Sequence, residues 1–254
     1  MPHLDATVLH YLRFREATYS LLGAIPYPNM VKKTTLSQHV TPPAESQSMN
    51  GVVDTGLDNN APDPAYLARM TERRESLRAE VAHLLPLHSH FVWEIGCGHG
   101  HFLAAYAKAL PAEHCVGIDI NLDRVRRATK KRDRARLDHL HFVRAEARLF
   151  LEVLPPGARF SAIYMLFPDP WPKKRHHKYR LLQADFLHEV AQHAGQGTPL
   201  FFRTDHAPYF AEVALLLRAH PDWRSVGDQP WPFELATVFQ QKAPSFQSLV
   251  AVRR

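Results

Sequence analysis

His90 to Gly100 reads H-F-V-W-E-I-G-C-G-H-G, a short apolar run that breaks into a glycine-rich turn. A run too short for a helix and ended by Gly96, Gly98 and Gly100 predicts a buried strand that turns sharply into the next element. That element, F-L-A-A-Y-A-K-A-L, has helical spacing. The alternation then repeats. C-V-G-I-D-I (115–120), H-L-H-F-V-R-A (139–145), F-S-A-I-Y-M-L-F (160–167) and P-L-F-F-R-T (199–204) are further strand-like runs. Between and after them lie helical stretches: Asp123 to Arg136, A-R-L-F-L-E-V-L, L-L-Q-A-D-F-L-H-E-V-A-Q-H-A and P-Y-F-A-E-V-A-L-L-L-R-A. Strands alternating with helices predict an α/β fold with a mostly parallel sheet and helices on both faces. The late stretches T-V-F-Q-Q and F-Q-S-L-V-A-V-R-R predict two adjacent strands that close the sheet in antiparallel fashion.

Working outward towards the N-terminus, A-Y-L-A-R-M-T-E-R-R-E-S-L-R-A-E-V-A-H-L-L predicts a helix with Leu67, Met70, Leu77, Val81 and Leu84 as its apolar positions. Residues 34 to 64 hold four prolines and no aromatic residue, a composition that buries too little apolar surface to offset ordering entropy. The expected organisation is therefore a flexible or disordered N-terminal extension, 1–64, followed by one folded domain, 65–254.

The 254 residues are 45% apolar, enough for a packed core. Lys and Arg number 31 against 25 Asp and Glu, a net charge of +6 with 17 further histidines, which suits a polyanionic partner such as nucleic acid. With Cys97 and Cys115 as the only cysteines, a disulfide framework and a four-thiolate zinc site are excluded, no metal is expected, and a reducing cytoplasm is the expected location. The most apolar stretch, Leu149 to Phe167, is interrupted by Glu152, Pro155, Pro156 and Arg159, so no membrane span is expected. A secretory signal is likewise not expected.

A doubly wound sheet binds its ligand beyond the carboxyl ends of its strands. Here that rim opens with Glu94 and the turn Gly96, Gly98, Gly100, spaced G-x-G-x-G rather than the G-x-G-x-x-G of dinucleotide enzymes. An acid beside the loop repels a pyrophosphate and suits a cationic ligand without phosphate, such as S-adenosylmethionine. Asp119, 25 positions after Glu94, ends the second strand, where a carboxylate can accept both hydroxyls of a ribose. Glu146 follows the third strand beside the small Ala147, a place for an adenine to lie flat.

After the fourth strand comes F-P-D-P-W-P-K-K-R-H-H-K-Y-R (167–180). Pro168, Pro170 and Pro172 fix three φ angles, predicting that Asp169 and Trp171 sit in a rigid extended loop at the cleft edge. Lys173, Lys174, Arg175, Lys178 and Arg180 form a cationic block whose natural target is phosphate. The stretch Asp123 to Arg136 carries eight Lys or Arg against two Asp and reads equally as an extension of that footprint or as a solvated helix face. Thr204, Asp205, His206 and Tyr209 bring another acid to the rim, so that Asp169 and Asp205 are placed to accept from the N1–H and amino group of a guanine. Guanine N7 has a free lone pair and needs no general base. Methylation at a pyrimidine carbon needs a thiol on a catalytic loop, whereas Cys97 and Cys115 read as buried packing residues.

On these residues the chain from about Phe91 to Arg254 resembles the bacterial tRNA (guanine-N7)-methyltransferases of the TrmB family. F-P-D-P-W-P-K-K-R-H-H-K-Y-R is similar to that family's F-P-D-P-W-x-K-x-R-H-x-K-x-R, T-D-H-A-P-Y to its T-D-W-x-x-Y, and E-I-G-C-G-H-G with G-I-D-I to its cofactor motifs. The resemblance implies a class I S-adenosylmethionine-dependent methyltransferase (Rossmann-like) fold and methyl transfer from S-adenosylmethionine to N7 of a guanosine in the tRNA variable loop. It implies cofactor contacts from Glu94, Gly96, Gly98, Gly100, Asp119, Glu146, Ala147 and Asp169, with Asp169 as the catalytic acid. Lys173, Asp205, Thr237, Phe239 and Gln240 would line the substrate, and Lys174, Arg175, Lys178 and Arg180 would hold the tRNA backbone. The family's T-K-F-E reads T-V-F-Q here, so Val238 and Gln240 replace a cation and a carboxylate; Glu146 replaces an aspartate and His206 a tryptophan. Whether the protein is a monomer or a homodimer stays open.

Other readings compete. D-P-W loosely resembles the D-P-P-Y loop of amino-methyltransferases, which predicts an exocyclic-amine product. Val238 and Gln240 suit a degenerate fold that binds RNA without reacting. A nicotinamide dehydrogenase ranks last because of the glycine spacing and Glu94.

Overall fold

The computed structural model describes residues 63–227, 229–235 and 245–254. The N-terminal extension expected over 1–64 thus lies almost wholly outside the described residues. Helix α1 (Pro64–Leu84) starts where the Asp63 carboxylate accepts the Ala65 N–H, with proline in its first turn. Its expected apolar face is only half used. Leu77 and Val81 are buried, but Leu67 is exposed, so the first turns stand away from the core.

Beyond α1 the chain runs β1 (His90–Ile95), α2 (His101–Ala109), β2 (Cys115–Asp119), α3 (Leu122–Ala135), β3 (Leu140–Arg144), α4 (Ala147–Glu152) and β4 (Arg159–Leu166). A 3-10 helix (Lys174–Tyr179), α5 (Ala184–Gln192), β5 (Pro199–Thr204), α6 (Ala207–Ala219), β6 (Trp223–Gly227) and β7 (Gln247–Arg253) complete it. The sheet order is β3-β2-β1-β4-β5-β7-β6, parallel except for β7, which pairs antiparallel with both β5 and β6. Strand order reverses between β1 and β4, and there a doubly wound sheet leaves its ligand crevice.

Alternation along the strands divides the core. Phe91, Trp93 and Ile95 pack with α1, α4, α5 and α6 on one face, where Trp93 stacks between Phe160 at 4.8 Å and Phe150 at 5.4 Å. Val92 packs on the other face with α2, α3 and Trp231, where Tyr164 stacks on Phe201 at 4.6 Å. The two-faced burial explains the near-continuous apolar runs of β1, β2 and β5.

The closing strands differ from the expectation. F-Q-S-L-V-A-V-R-R forms β7, whereas T-V-F-Q-Q lies outside the described residues. The strand beside β7 is β6, W-R-S-V-G, an edge strand buried fully only at Trp223. Among the described residues no helix is long and apolar enough to cross a membrane.

Candidate active site

The strand order sets five carboxylates along one rim of the sheet. Glu146 follows β3, Asp119 ends β2, Glu94 lies one residue from the end of β1, Asp169 follows β4 and Asp205 follows β5. At about 4.8 Å per strand, four strand intervals span roughly 19 Å. The crevice between β1 and β4 divides this row into three acids around the glycine turn and two around the proline loop.

The turn is tightly braced. Gly96 and Cys97 both donate backbone N–H groups to the Ile118 carbonyl at 2.9 Å, and Gly98 N–H donates to Asp119 Oδ2 at 3.0 Å. Asp119 Oδ1 accepts Asn121 N–H at 2.8 Å, and Arg124 stands 3.8 Å from the same carboxylate. Lys131 on α3 donates to the His99 carbonyl at 2.8 Å, clamping the loop from the side. That clamp was not read from the sequence, where Lys131 was one cation among eight. Arg124 and Lys131 of the stretch Asp123 to Arg136 thus serve the turn, a role that neither sequence reading of that stretch included.

A methyl group at Gly98 would meet no atom within 4 Å, and its φ of +55° is left-handed. The backbone therefore borders open space that a side chain would fill. Beside it Glu94 is buried, and its Oε2 has no hydrogen-bond partner among the described residues. Burial pushes this carboxyl up to about 8, with the neighbouring Asp119 charge adding and the Leu103 backbone and Lys131 opposing. A buried carboxylate with one unpartnered oxygen beside an open backbone cradle fits a cationic ligand that presents hydrogen-bond donors, as S-adenosylmethionine does.

Gly100 serves a different need. It is the left-handed N-cap of α2, and a Cβ there would stand 2.5 Å from the Phe142 ring and 2.8 Å from Ala128. Gly100→Ala is expected to lower stability by about 2–4 kcal/mol, from left-handed strain plus overpacking, as measured by urea unfolding.

Glu146 caps α4, accepting Leu149 N–H at 3.0 Å through Oε2, and Ala147 is buried behind it. Both thiols are buried, and burial pushes both up, which suits the packing role read for Cys97 and Cys115.

The proline loop is not uniformly extended as expected. Phe167 and Trp171, at φ +51° and +44°, are left-handed, a conformation strained for bulky side chains. Asp169 between them is exposed, as are Lys173, Lys174, Arg175 and Lys178. Asp205 is also exposed; His206 caps α6 by accepting Tyr209 N–H at 3.1 Å.

Arg180 corrects the sequence reading. It was expected on the tRNA backbone, yet its side chain is buried at 1% exposure. Its Nε donates to the Pro170 carbonyl at 2.8 Å, its Nη1 pairs with Glu212, and its guanidinium lies 4.8 Å from the Tyr209 ring centroid. Arg180 thus holds the loop from beneath. Tyr209 is likewise turned inward, its hydroxyl accepting Leu182 N–H at 3.4 Å and pushed up to about 12 by burial.

Arg203, on β5 just before Thr204 and Asp205, was missed. It donates to both carboxylate oxygens of Glu234 at 3.0 and 2.9 Å and to Ser248 at 2.8 Å, with Trp231 3.9 Å from its guanidinium. The buried guanidinium ties 229–235 and β7 to the carboxyl end of β5. Thr237, Phe239 and Gln240, expected to line the substrate, lie outside the described residues.

A glycine turn after β1, acids ending β1 and β2, and the order 3-2-1-4-5-7-6 define a class I S-adenosylmethionine-dependent methyltransferase fold. Residues 88–247 match the Methyltransf_4 model of a methyltransferase family, and the chain belongs to that family. It is similar to the tRNA (guanine-N(7)-)-methyltransferase of Syntrophotalea carbinolica, 37% identical over 139 residues, 54% of this chain and 60% of that one. It is also similar to those of Mycolicibacterium paratuberculosis (32% over 163 residues, 63% of each chain) and Thermosynechococcus vestitus (30% over 152 residues, 58% of this chain and 70% of that one). The chain thus spans less than two thirds of the length of the first two relatives.

Proposed function

We propose that the protein transfers a methyl group from S-adenosylmethionine to N7 of a guanosine in the variable loop of tRNA, residues 65–254 forming the catalytic domain. The observation that carries this reading is the adjacency of two half-sites. An open, acid-lined cradle flanks β1, and a loop anchored by Arg180 and bearing Asp169 and a run of exposed cations follows β4, its neighbour across the crevice. The relatives' shared name, tRNA (guanine-N(7)-)-methyltransferase, supports the choice of atom and substrate.

When bound, S-adenosylmethionine supplies an electrophilic methyl group on a sulfonium centre, and a purine nitrogen with a free lone pair accepts it without a base. Glu94 balances the ligand's positive charge, and Asp119 and Glu146 accept from its hydroxyls and amino group. Asp169 stabilises the positive charge that develops on the purine ring, while Asp205 accepts from the base edge. Lys173, Lys174, Arg175 and Lys178 neutralise phosphates and fix the RNA's position. Arg180 keeps Pro170, and so Asp169, in place.

The test is transfer of labelled methyl from S-adenosylmethionine to unmodified tRNA transcripts, followed by nucleoside analysis. The expected product is 7-methylguanosine in the variable loop, cleavable by borohydride and aniline. Label on an exocyclic amine would shift the reading to an amino-methyltransferase. Binding of both ligands without transfer would favour a non-catalytic RNA-binding protein carrying the altered Val238 and Gln240.

A further inference from the structure

Trp93, Trp223 and Trp231 are buried, and Trp171 is the one exposed tryptophan, at 38%. It does not stand alone. The Trp171 ring centroid lies 5.8 Å from His176 and 5.3 Å from Tyr179, and the latter two are 5.9 Å apart. Tyr179 is 56% exposed, with the Lys178 ammonium 5.2 Å from its ring centroid.

A three-ring cluster left open to water is not scattered surface apolarity. Its backbone is held in a strained form: Trp171 has φ +44°, and the residue before it is pinned through its carbonyl by buried Arg180 at 2.8 Å. The fold thus presents the indole outward instead of burying it. The surroundings select the occupant. Lys173, Lys174, Arg175 and Lys178 are exposed in the same stretch, Lys178 against the Tyr179 ring and Arg175 beside His176. The stretch from Pro170 to Leu181 has no carboxylate of its own, Glu212 of α6 facing His177 and the buried Arg180. Rings interleaved with cations match a polymer of flat π-faces joined by phosphates.

We propose that Trp171, His176 and Tyr179 form a stacking platform for an unpaired RNA base, a nucleotide other than the methyl acceptor. The inference rests on the RNA-directed reading above. It adds that the basic block recognises an opened loop through base stacking, beyond its contacts to phosphate. A duplex, whose bases are already stacked, gains nothing from the platform.

Because the other three tryptophans are buried, a base that stacks on the surface quenches only the share of the intrinsic fluorescence that comes from Trp171. Titration of the full protein with hexaadenylate is expected to quench this emission saturably, and Trp171→Phe to abolish the quench. Tyr179→Ala, at an exposed position, is expected to weaken binding of unmodified tRNA about tenfold. The slope of log affinity against log salt should stay unchanged, whereas Lys174→Ala should lower that slope by about one. Unchanged tRNA affinity in Tyr179→Ala, or equal quenching by phosphatidylglycerol vesicles, overturns the platform. Methylated tRNA with unchanged Tyr179→Ala affinity sinks the platform and leaves the proposed function standing. Hexaadenylate quenching without methyl transfer to tRNA does the reverse.

Discussion

Asp169→Asn is expected to lower kcat by at least about a hundredfold while changing the Kd for tRNA by less than about threefold. The carboxylate is exposed and stands within a loop whose shape is set by others: three prolines, two left-handed residues and the Arg180 anchor. Substituting an isosteric amide therefore leaves the loop intact and removes the charge together with one acceptor oxygen. Loss of one preorganised group aimed where charge develops costs about 2.7–4 kcal/mol in oxyanion holes, and the same scale applies here with the signs of charge reversed. The tRNA affinity rests on the phosphate contacts of neighbouring cations and persists. Single-turnover kinetics with filter binding separates the two quantities. Equal loss of rate and affinity would mean that Asp169 merely holds the RNA.

Glu94→Gln is expected to have the second largest effect, and its sign depends on pH. In the folded protein burial pushes this carboxyl from its ordinary 4.5 up to about 8. A cationic ligand requires the ionised form, so binding at neutral pH releases a proton. Affinity for S-adenosylmethionine should then rise by up to about tenfold per pH unit below 8 and level off above it. In Glu94→Gln that dependence should be flat, with affinity at pH 8 reduced at least about tenfold. Calorimetry in two buffers of different ionisation enthalpy counts the proton directly. Stability moves the other way. Between pH 4.5 and 8 the folded state holds a proton that the unfolded chain has lost, so the ligand-free protein loses stability as pH rises through that window. The glutamine variant lacks this loss and should melt higher than the parent at pH 8.

How much of this was legible in the sequence depends on the range of the interaction concerned. β1 to β5 and β7 are buried on both faces or nearly so, and their apolar runs declare them. W-R-S-V-G does not, because β6 is an edge strand with one fully buried side chain and polar neighbours. The acids of the rim were legible because each sits at a strand end that its own neighbourhood defines. Arg180 was not. In sequence it closes a cationic run, and what turns it inward is Glu212 and Tyr209, some thirty residues away on α6. The left-handed Phe167 and Trp171 were hidden likewise, since each precedes a proline, a position that favours extended backbone and gives no sign of a positive φ.

The place of β7 bears on how the protein is made. Synthesis delivers β6 before β7, yet in the finished sheet β7 lies between β5 and β6. While residues 228 to 246 are being added, β5 has a bare edge and β6 has no neighbour in the sheet. Assembly therefore ends with a strand wedged into a gap, not laid against a border. A chain that stops short of residue 247 leaves one edge of β5 and the whole of β6 unpaired, which makes that form exposed to aggregation and to chaperone capture.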